Sequence, residues 1–246
     1  MRIAIVGYGR MGRAVEKLAL ERGHEIAARL DRDEPGGAAP TPERLEGAEV
    51  AVEFTEPEAA PGNIERLAGC GVDAVVGTTG WYEHVERARR AVDAAGTGLI
   101  YAPNFSLGVQ LFLRIAELAA RLADRVGTYD VFVQEAHHRH KRDHPSGTAA
   151  RLADLLVANL SAKTTWALGT GAGPIEPSVL QVTSVRAGEI AGTHSVGLDG
   201  AHDQIEIRHE AKGRTGFALG ALAAAEWVRG RKGVFTLDDM LDDLWS

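Results

Sequence analysis

The densest chemistry in this chain lies in fifteen residues, Glu135 to Ala149, which read EAHHRHKRDHPSGTA. Four imidazoles (His137, His138, His140 and His144), the ammonium of Lys141 and the carboxylate of Asp143 precede a Pro-Ser-Gly-Thr turn. Upstream, Tyr129 to Gln134 has the β-branched and aromatic content of a strand. Downstream, Ala149 to Leu160 has helical spacing, with Leu152, Leu155, Leu156 and Leu160 on one face. The stretch therefore reads as a strand-to-helix loop. Pro145 interrupts hydrogen-bonded structure, Ser146 or Thr148 can cap the helix, and Gly147 leaves amide N–H groups open. A helix N-terminus carries partial positive charge, to which Lys141 and a nearby imidazole add. The expected guest is an anion: a carboxylate-bearing substrate beside a proton donor.

Each histidine taken alone reads as a solvated loop residue. Crowded His, His and Asp also suggest a metal. Zinc, however, wants ligands at helix or knuckle spacing, and Lys141 stands among these side chains as a competing cation, so no metal is expected.

A second constellation opens the chain. Residues 2–12, RIAIVGYGRMG, form an apolar run that ends in Gly7, Gly9, Arg10, Met11 and Gly12, and a helix from Arg13 to Glu21 follows. In a strand-turn-helix of this kind the first glycine permits the tight turn. The second lets a pyrophosphate approach the backbone, and the third lets helix and strand pack closely. His24 to Leu30 then forms a strand ending in Asp31, about where an acidic group meets an adenine ribose. Asp31 alone favours NAD, whereas Arg32 and Arg10 could receive a 2′-phosphate, so both NADH and NADPH stay open.

The elements positioning these groups alternate. Strands at Glu49–Phe54, Val72–Val76 and from Gly98 are separated by helices at Glu56–Cys70 and Tyr82–Ala95, which implies a parallel sheet. Ligands of such sheets sit at the carboxyl ends of the strands. Gly77, Thr78 and Thr79 of the GTTG turn, and Ala102, Asn104 and Phe105 of the APNF turn, fall there and are expected on the nicotinamide side. Leu107 to Ala123 is an amphipathic helix bridging to a second domain. Beyond the histidine loop, Leu168 to Pro177 reads as a mobile flap or subunit-edge loop, and Glu34 to Pro42 is a Gly/Ala/Pro loop. Three strands, Val179–Arg186, Glu189–Leu198 and Gln204–Ala211, follow without helices and predict a largely antiparallel sheet, with His194 and His209 packed on its faces. Helices at Phe217–Arg229 and Leu237–Trp245 are expected to return and cover the nucleotide-binding sheet.

Composition bounds the function. The chain has 246 residues, 45% of them hydrophobic, enough for one large or two modest cores. A formal charge of −7 argues against nucleic-acid binding, and no apolar run reaches membrane-spanning length. The N-terminus has no signal-peptide pattern, and the lone Cys70 reads as a small core residue, so a cytoplasmic protein is expected.

The motifs GYGRMG, EFT (Glu53–Thr55), GTTG, APNFSLGV (Ala102–Val109), EAHHRHKRDHPSGTA and SVRAGEIAGTH (Ser184–His194) together resemble the 4-hydroxy-tetrahydrodipicolinate reductase (dihydrodipicolinate reductase) family nearly end to end. The resemblance implies an α/β protein with a Rossmann dinucleotide-binding domain from residues 1–104 and 215–246. A central α+β domain, 105–214, would bind substrate and form a homotetramer. It further implies NADH- or NADPH-dependent reduction of a cyclic, unsaturated dicarboxylate imine on the bacterial diaminopimelate route to lysine. His137 matches the family's acid/base residue and Lys141 its catalytic partner, with His138, Lys141, Gly147 and Thr148 holding substrate carboxylate. The phosphate loop is one residue shorter than in many members, the connection between the second and third strands is short, and Glu53 replaces a commoner aspartate. Two other classes compete: a Rossmann oxidoreductase acting on a sugar or amino acid, and a non-catalytic dinucleotide sensor.

Overall fold

The computed structural model describes residues 1–33, 37, 39–169 and 173–245. The chain divides into two compact units, Met1–Leu107 with Arg214–Ser246, and Gly108–Gly213.

The first unit contains β1 (Arg2–Val6), α1 (Arg10–Glu21), β2 (Glu25–Leu30), α2 (Pro42–Leu45), β3 (Val50–Glu53), α3 (Ala60–Gly69), β4 (Asp73–Val76), α4 (Val85–Ala95) and β5 (Gly98–Tyr101). Its strands form a six-stranded, wholly parallel sheet in the order β11-β5-β4-β3-β1-β2, in which β11 (Gly233–Thr236) comes from the chain's end. Every residue of β3 and β4 is buried, as expected of apolar runs covered on both faces. Val15 and Ala19 of α1 share one core with Ala221, Leu222 and Ala225 of α7 (Thr215–Val228) and with Met240 and Leu241 of α8 (Leu237–Trp245). The opposite face is covered by Ile64 and Leu67 of α3 and Ala88 and Val92 of α4. The returning C-terminal segments thus cover the sheet, and they also extend it. β11 escapes recognition in the sequence because it is four half-buried residues at an edge, too short for a period. Of the Glu34–Pro42 loop, Glu34 to Gly36 and Ala38 lie outside the described residues.

The second unit holds most of α5 (Leu107–Val126), then β6 (Asp130–His137), α6 (Gly147–Asn159), β7 (Thr165–Leu168), β8 (Val179–Arg186), β9 (Thr193–Asp199) and β10 (Gln204–Glu210). Its sheet has the order β10-β9-β6-β8-β7. The antiparallel expectation holds only in part. β9 is antiparallel to both β6 and β10, but β6, β8 and β7 run parallel. The cause is a crossover: α6 carries the chain back past the sheet, so β7 and β8 run in the direction of β6. Leu152, Leu156, Leu180, Val182, Val133 and Val196 share a core with Phe112, Leu113 and Ala116 of α5. Each buried leucine or valine contributes roughly 1.5–3 kcal/mol by leaving water. The N-cap of α6 is Ser146, whose hydroxyl accepts from the Ala149 amide at 3.2 Å. Thr170 to Ala172, at the centre of the expected flap, lie outside the described residues.

Close packing in the first unit depends on glycine at two helix positions. A Cβ on Gly12 of α1 would stand 2.4 Å from the Gly7 carbonyl oxygen, and one on Gly220 of α7 would stand 1.7 Å from that of Phe105. Neither obstacle is a flexible side chain. Gly220→Ala should therefore destabilise the protein by about 1–3 kcal/mol or more, from overpacking against backbone. Denaturant titration checks this, and an unchanged midpoint would show that α7 shifts freely.

Candidate active site

The phosphate loop follows β1. Gly7, at φ +91°, is wedged against the Phe54 carbonyl, which a Cβ would meet at 2.1 Å, whereas nothing lies within 4 Å of a Cβ built on Gly9. Gly9 is also the N-cap of α1 and offers no side-chain cap, so the first amides of the helix are not taken by one. A cleft of about 510 Å³ opens here, lined by Gly7, Gly9 and Arg10, by Asp31 and Arg32 after β2, and by Thr55 after β3. These groups fit a dinucleotide: open amides for a pyrophosphate and a carboxylate for a ribose. Met11 and Gly12 lie inside α1, Met11 half-buried and Gly12 buried.

Charges around the cleft are partly committed. Arg32 pairs with Glu56 at 2.8 Å, and its amide donates to Asp31 Oδ1 at 2.8 Å. Arg10 is exposed. The Arg13 guanidinium lies 4.9 Å from the Tyr8 ring centre, and the Tyr8 hydroxyl donates to Glu16, which also holds Arg29.

The two rim turns expected on the nicotinamide side take different roles. Thr78 is buried, accepts from the Thr55 amide at 2.8 Å and donates to Glu53 at 2.6 Å. Burial pushes the Glu53 carboxyl upward, against hydrogen bonds from Thr55, Thr78 and Asn63 that pull it down. A Cβ on Gly77 would clash with the Phe54 ring, and Thr79 is exposed. Ala102 and Phe105 join the hydrophobic core, while Asn104 accepts from the Ser106 amide at 2.8 Å. None of these six residues lines the cleft.

In the second unit the strand runs three residues further than its composition suggests. β6 ends at His137, so Glu135 and His137 project on the same face two residues apart. Glu135 Oε2 lies 2.5 Å from His137 Nδ1. Its other oxygen accepts from Arg186 at 2.7 Å, from the Ser146 amide at 3.2 Å and from the Ser184 hydroxyl. Burial would raise the Glu135 carboxyl, yet the bonds from His137, Arg186 and Ser184 outweigh it and hold it well below the usual range. Arg186 reaches further, donating to the Asp143 carbonyl at 2.6 Å. The loop between is thus clamped to β8.

The remaining histidines divide. His194 is buried, set edge-on to His137 with ring centres 5.1 Å apart, and its Nε2 lies 3.0 Å from the Ser146 hydroxyl. It belongs to this cluster, more than to general strand-face packing. His209 fits the packing reading, half-buried with its ring 6.1 Å from Phe112. His138 is half-buried, with a buried Nδ1 that has no partner among the described residues. His140 and His144 are exposed, as solvated loop residues are. Lys141 pairs with Asp143 at 2.9 Å, and burial, which would raise the Asp143 carboxyl, is outweighed by Lys141 and by backbone bonds. Gly147 is exposed at the first turn of α6, with Thr148 half-buried beside it.

Glu135, His137 and His194 offer donor atoms within 4.8 Å of one another. Three hydrogen bonds, one from a guanidinium, already occupy one carboxylate oxygen, so the trio reads as a hydrogen-bonded cluster. Sequence reasoning singled out His137 but missed its supports Glu135, Ser184, Arg186 and His194. The signal available was the strand's two-residue alternation across Glu135 and His137. Arg186 and His194 lie about fifty residues away and carried none.

A parallel dinucleotide-binding sheet and a second sheet bearing a carboxylate-bound histidine define the class as a Rossmann-type NAD(P)-dependent oxidoreductase. Comparison with known proteins narrows the class. The models for the N-terminus and C-terminus of dihydrodipicolinate reductase match residues 1–105 and 108–241. The chain is 37% identical to the 4-hydroxy-tetrahydrodipicolinate reductase of Christiangramia forsetii over 246 residues, all of both chains. It is 38% identical to that of Thiobacillus denitrificans over 265 residues, 98% of each. Among solved structures it resembles the dipicolinate-bound dihydrodipicolinate reductase of Paenisporosarcina sp. TG-14 in fold, with a TM-score of 0.75 at 22% identity, covering 96% of this chain and 97% of that one. The chain belongs to the dihydrodipicolinate reductase family.

The buried imidazole of His194 makes acid stability testable. Burial first, and then the charge of His137, lowers its pKa to about 4. A base depressed on folding stabilises the native state above its unfolded value of about 6.5, and that contribution is lost as pH falls towards the folded value. The loss is on the order of 3 kcal/mol. Glu135, also depressed, contributes above the ordinary carboxylate range and loses its share only below that range. Denaturation between pH 7 and pH 4 should therefore show a decline that flattens in His194→Gln; an unchanged slope would assign it to other groups.

Proposed function

We propose that this chain reduces 4-hydroxy-tetrahydrodipicolinate, by way of dihydrodipicolinate, to tetrahydrodipicolinate with NADH or NADPH, on the diaminopimelate route to lysine. The observation that carries the reading is the turn joining β6 to α6, in which a buried, carboxylate-bound His137 and a half-buried Lys141 precede Gly147 and Thr148 at the first turn of α6. The nicotinamide, when bound, supplies a hydride.

The chain's own residues handle charge. Lys141 and the N-terminal amides of α6, with His138 beside them, attract a substrate carboxylate through charge-assisted hydrogen bonds. Hydride addition to a conjugated imine leaves an electron-rich, enamine-type centre on the ring. Lys141 stabilises that charge, and His137 delivers the proton to the adjacent carbon. Gly7, Gly9, Arg10, Met11, Gly12, Asp31 and Arg32 are assigned to the nucleotide, with Gly77, Thr78, Thr79, Ala102, Asn104 and Phe105 towards its nicotinamide end. Residues 1–104 with 215–246 form the dinucleotide-binding domain, and 105–214 the substrate-binding and tetramerisation domain.

Cytoplasmic location follows from the reaction proposed, and among the described residues no helix is long and apolar enough to cross a membrane. Homotetramer formation is supported by an apolar stripe on α5, where Leu111, Ile115, Leu118, Leu122 and Val126 stand exposed at helical spacing. Light scattering should return the mass of four chains; a monomer at micromolar concentration would remove the assembly from the reading.

Activity is tested with substrate generated in situ from pyruvate and aspartate semialdehyde by the synthase that makes it, following the absorbance of NADH and separately of NADPH. Rapid oxidation is expected. Lys141→Ala should lower kcat and raise the substrate KM together, each by about tenfold or more, because one ammonium serves binding and charge stabilisation. No oxidation of either coenzyme by folded, nucleotide-binding protein would sink the assignment.

A further inference from the structure

We infer that Glu135 is the positioning residue for His137, fixing which imidazole nitrogen faces reaction and which faces protein. The inference rests on the proton-donor role proposed for His137 and extends it to the group behind it.

An ionised Glu135 assigns the two nitrogens. Glu135 is ionised, since the Arg186 guanidinium, the Ser184 hydroxyl and the Ser146 amide on its Oε1 hold the carboxyl well below the usual range, and an ionised carboxylate can only accept. His137 Nδ1, 2.5 Å from Oε2, therefore carries a proton in either charge state of the ring. Nε2 has no hydrogen-bond partner among the described residues and is the nitrogen that exchanges a proton with substrate. Without the carboxylate, a neutral imidazole would be free to place its proton on either nitrogen. When Nε2 gives up its proton to the ring carbon, Nδ1 keeps its own, so Glu135 is unchanged through the cycle and never itself transfers a proton.

The surroundings hold the pair rigidly. Glu135 is buried and sits in the middle of a strand paired on both sides, to β8 and to β9. The His137 carbonyl accepts from the Ala187 amide at 3.0 Å, which fixes the backbone of the histidine itself. On the other side of the ring, Gly192 leaves the space that Nε2 needs. At φ +140° it lacks a Cβ that would stand 2.9 Å from that atom. One side of the imidazole is thus tethered and the other kept clear.

The test is a double-mutant cycle of Glu135→Gln and His137→Gln, read as steady-state kinetics with NADH and in situ substrate, with dinucleotide affinity and thermal unfolding as controls. Glu135→Gln should reduce kcat by roughly 10²-fold or more, in the range of general acid catalysis, with substrate KM changed less than about threefold. In the His137→Gln background the same substitution should reduce kcat no further, because the residue acts only through the ring. An equal loss in both backgrounds would overturn the inference, as would a Glu135→Gln enzyme of wild-type kcat. If Glu135→Gln does not fold, Glu135→Asp keeps the charge while withdrawing it from Nδ1, and the same cycle decides. Full kcat in His137→Gln alone would instead overturn the proton-donor role, before any statement about Glu135 is reached.

Discussion

One buried negative charge organises the second unit. Leaving an ionised carboxylate out of water costs several kcal/mol unless its oxygens are occupied, and Glu135 meets that cost with four donors from three places in the chain. His137 comes from the same strand, Ser184 and Arg186 from β8, and the Ser146 amide from the cap of α6. Satisfying one side chain therefore sets the register of β6 against β8, the start of α6 and the orientation of an imidazole together. Arg186 extends the constraint to the loop by holding the Asp143 carbonyl, and Asp143 in turn holds Lys141. The charge that carries the chemistry is tethered to the charge that carries the fold.

The first unit solves a different problem, bringing backbone close to a polyanion. Gly7 and Gly12 are shaped by neighbours that forbid a side chain, whereas Gly9 faces open space. Close packing at two positions and clearance at the third follow from the same residue type for opposite reasons. The buried Glu53 beneath the rim, bonded by Thr55, Thr78 and Asn63, joins the ends of β3 and β4 and holds the two turns in one arrangement. Its raised pKa and the lowered one of Glu135 show burial acting alike on both. Only Glu135 has a guanidinium to reverse the effect.

Much of the first unit was legible from the chain because its signals are local. Alternating apolar runs and amphipathic helices announce a parallel sheet, and the glycine loop announces a ligand at its rim. The α/β class and the family follow from such patterns. The second sheet was harder to read. A mixed sheet depends on which way the chain returns after α6: β8, expected in an antiparallel sheet, runs with β6, and β7, four residues with little burial, was not read as a strand. β11 was lost for the same reason: a short edge strand takes its identity from its neighbour.

The candidate site divides along this line. Sequence alone determined the residue types that can hold an anion and move a proton, His137, Lys141 and the Ser-Gly-Thr cap, because they lie within a dozen positions of one another and local spacing governs them. Tertiary structure alone decided which imidazole is held and by what, since Arg186 and His194 reach Glu135 and His137 through strand pairing across about fifty residues. Hydrogen bonding is short-ranged in space and indifferent to separation along the chain. Partners that the fold brings together leave no mark on the spacing of either.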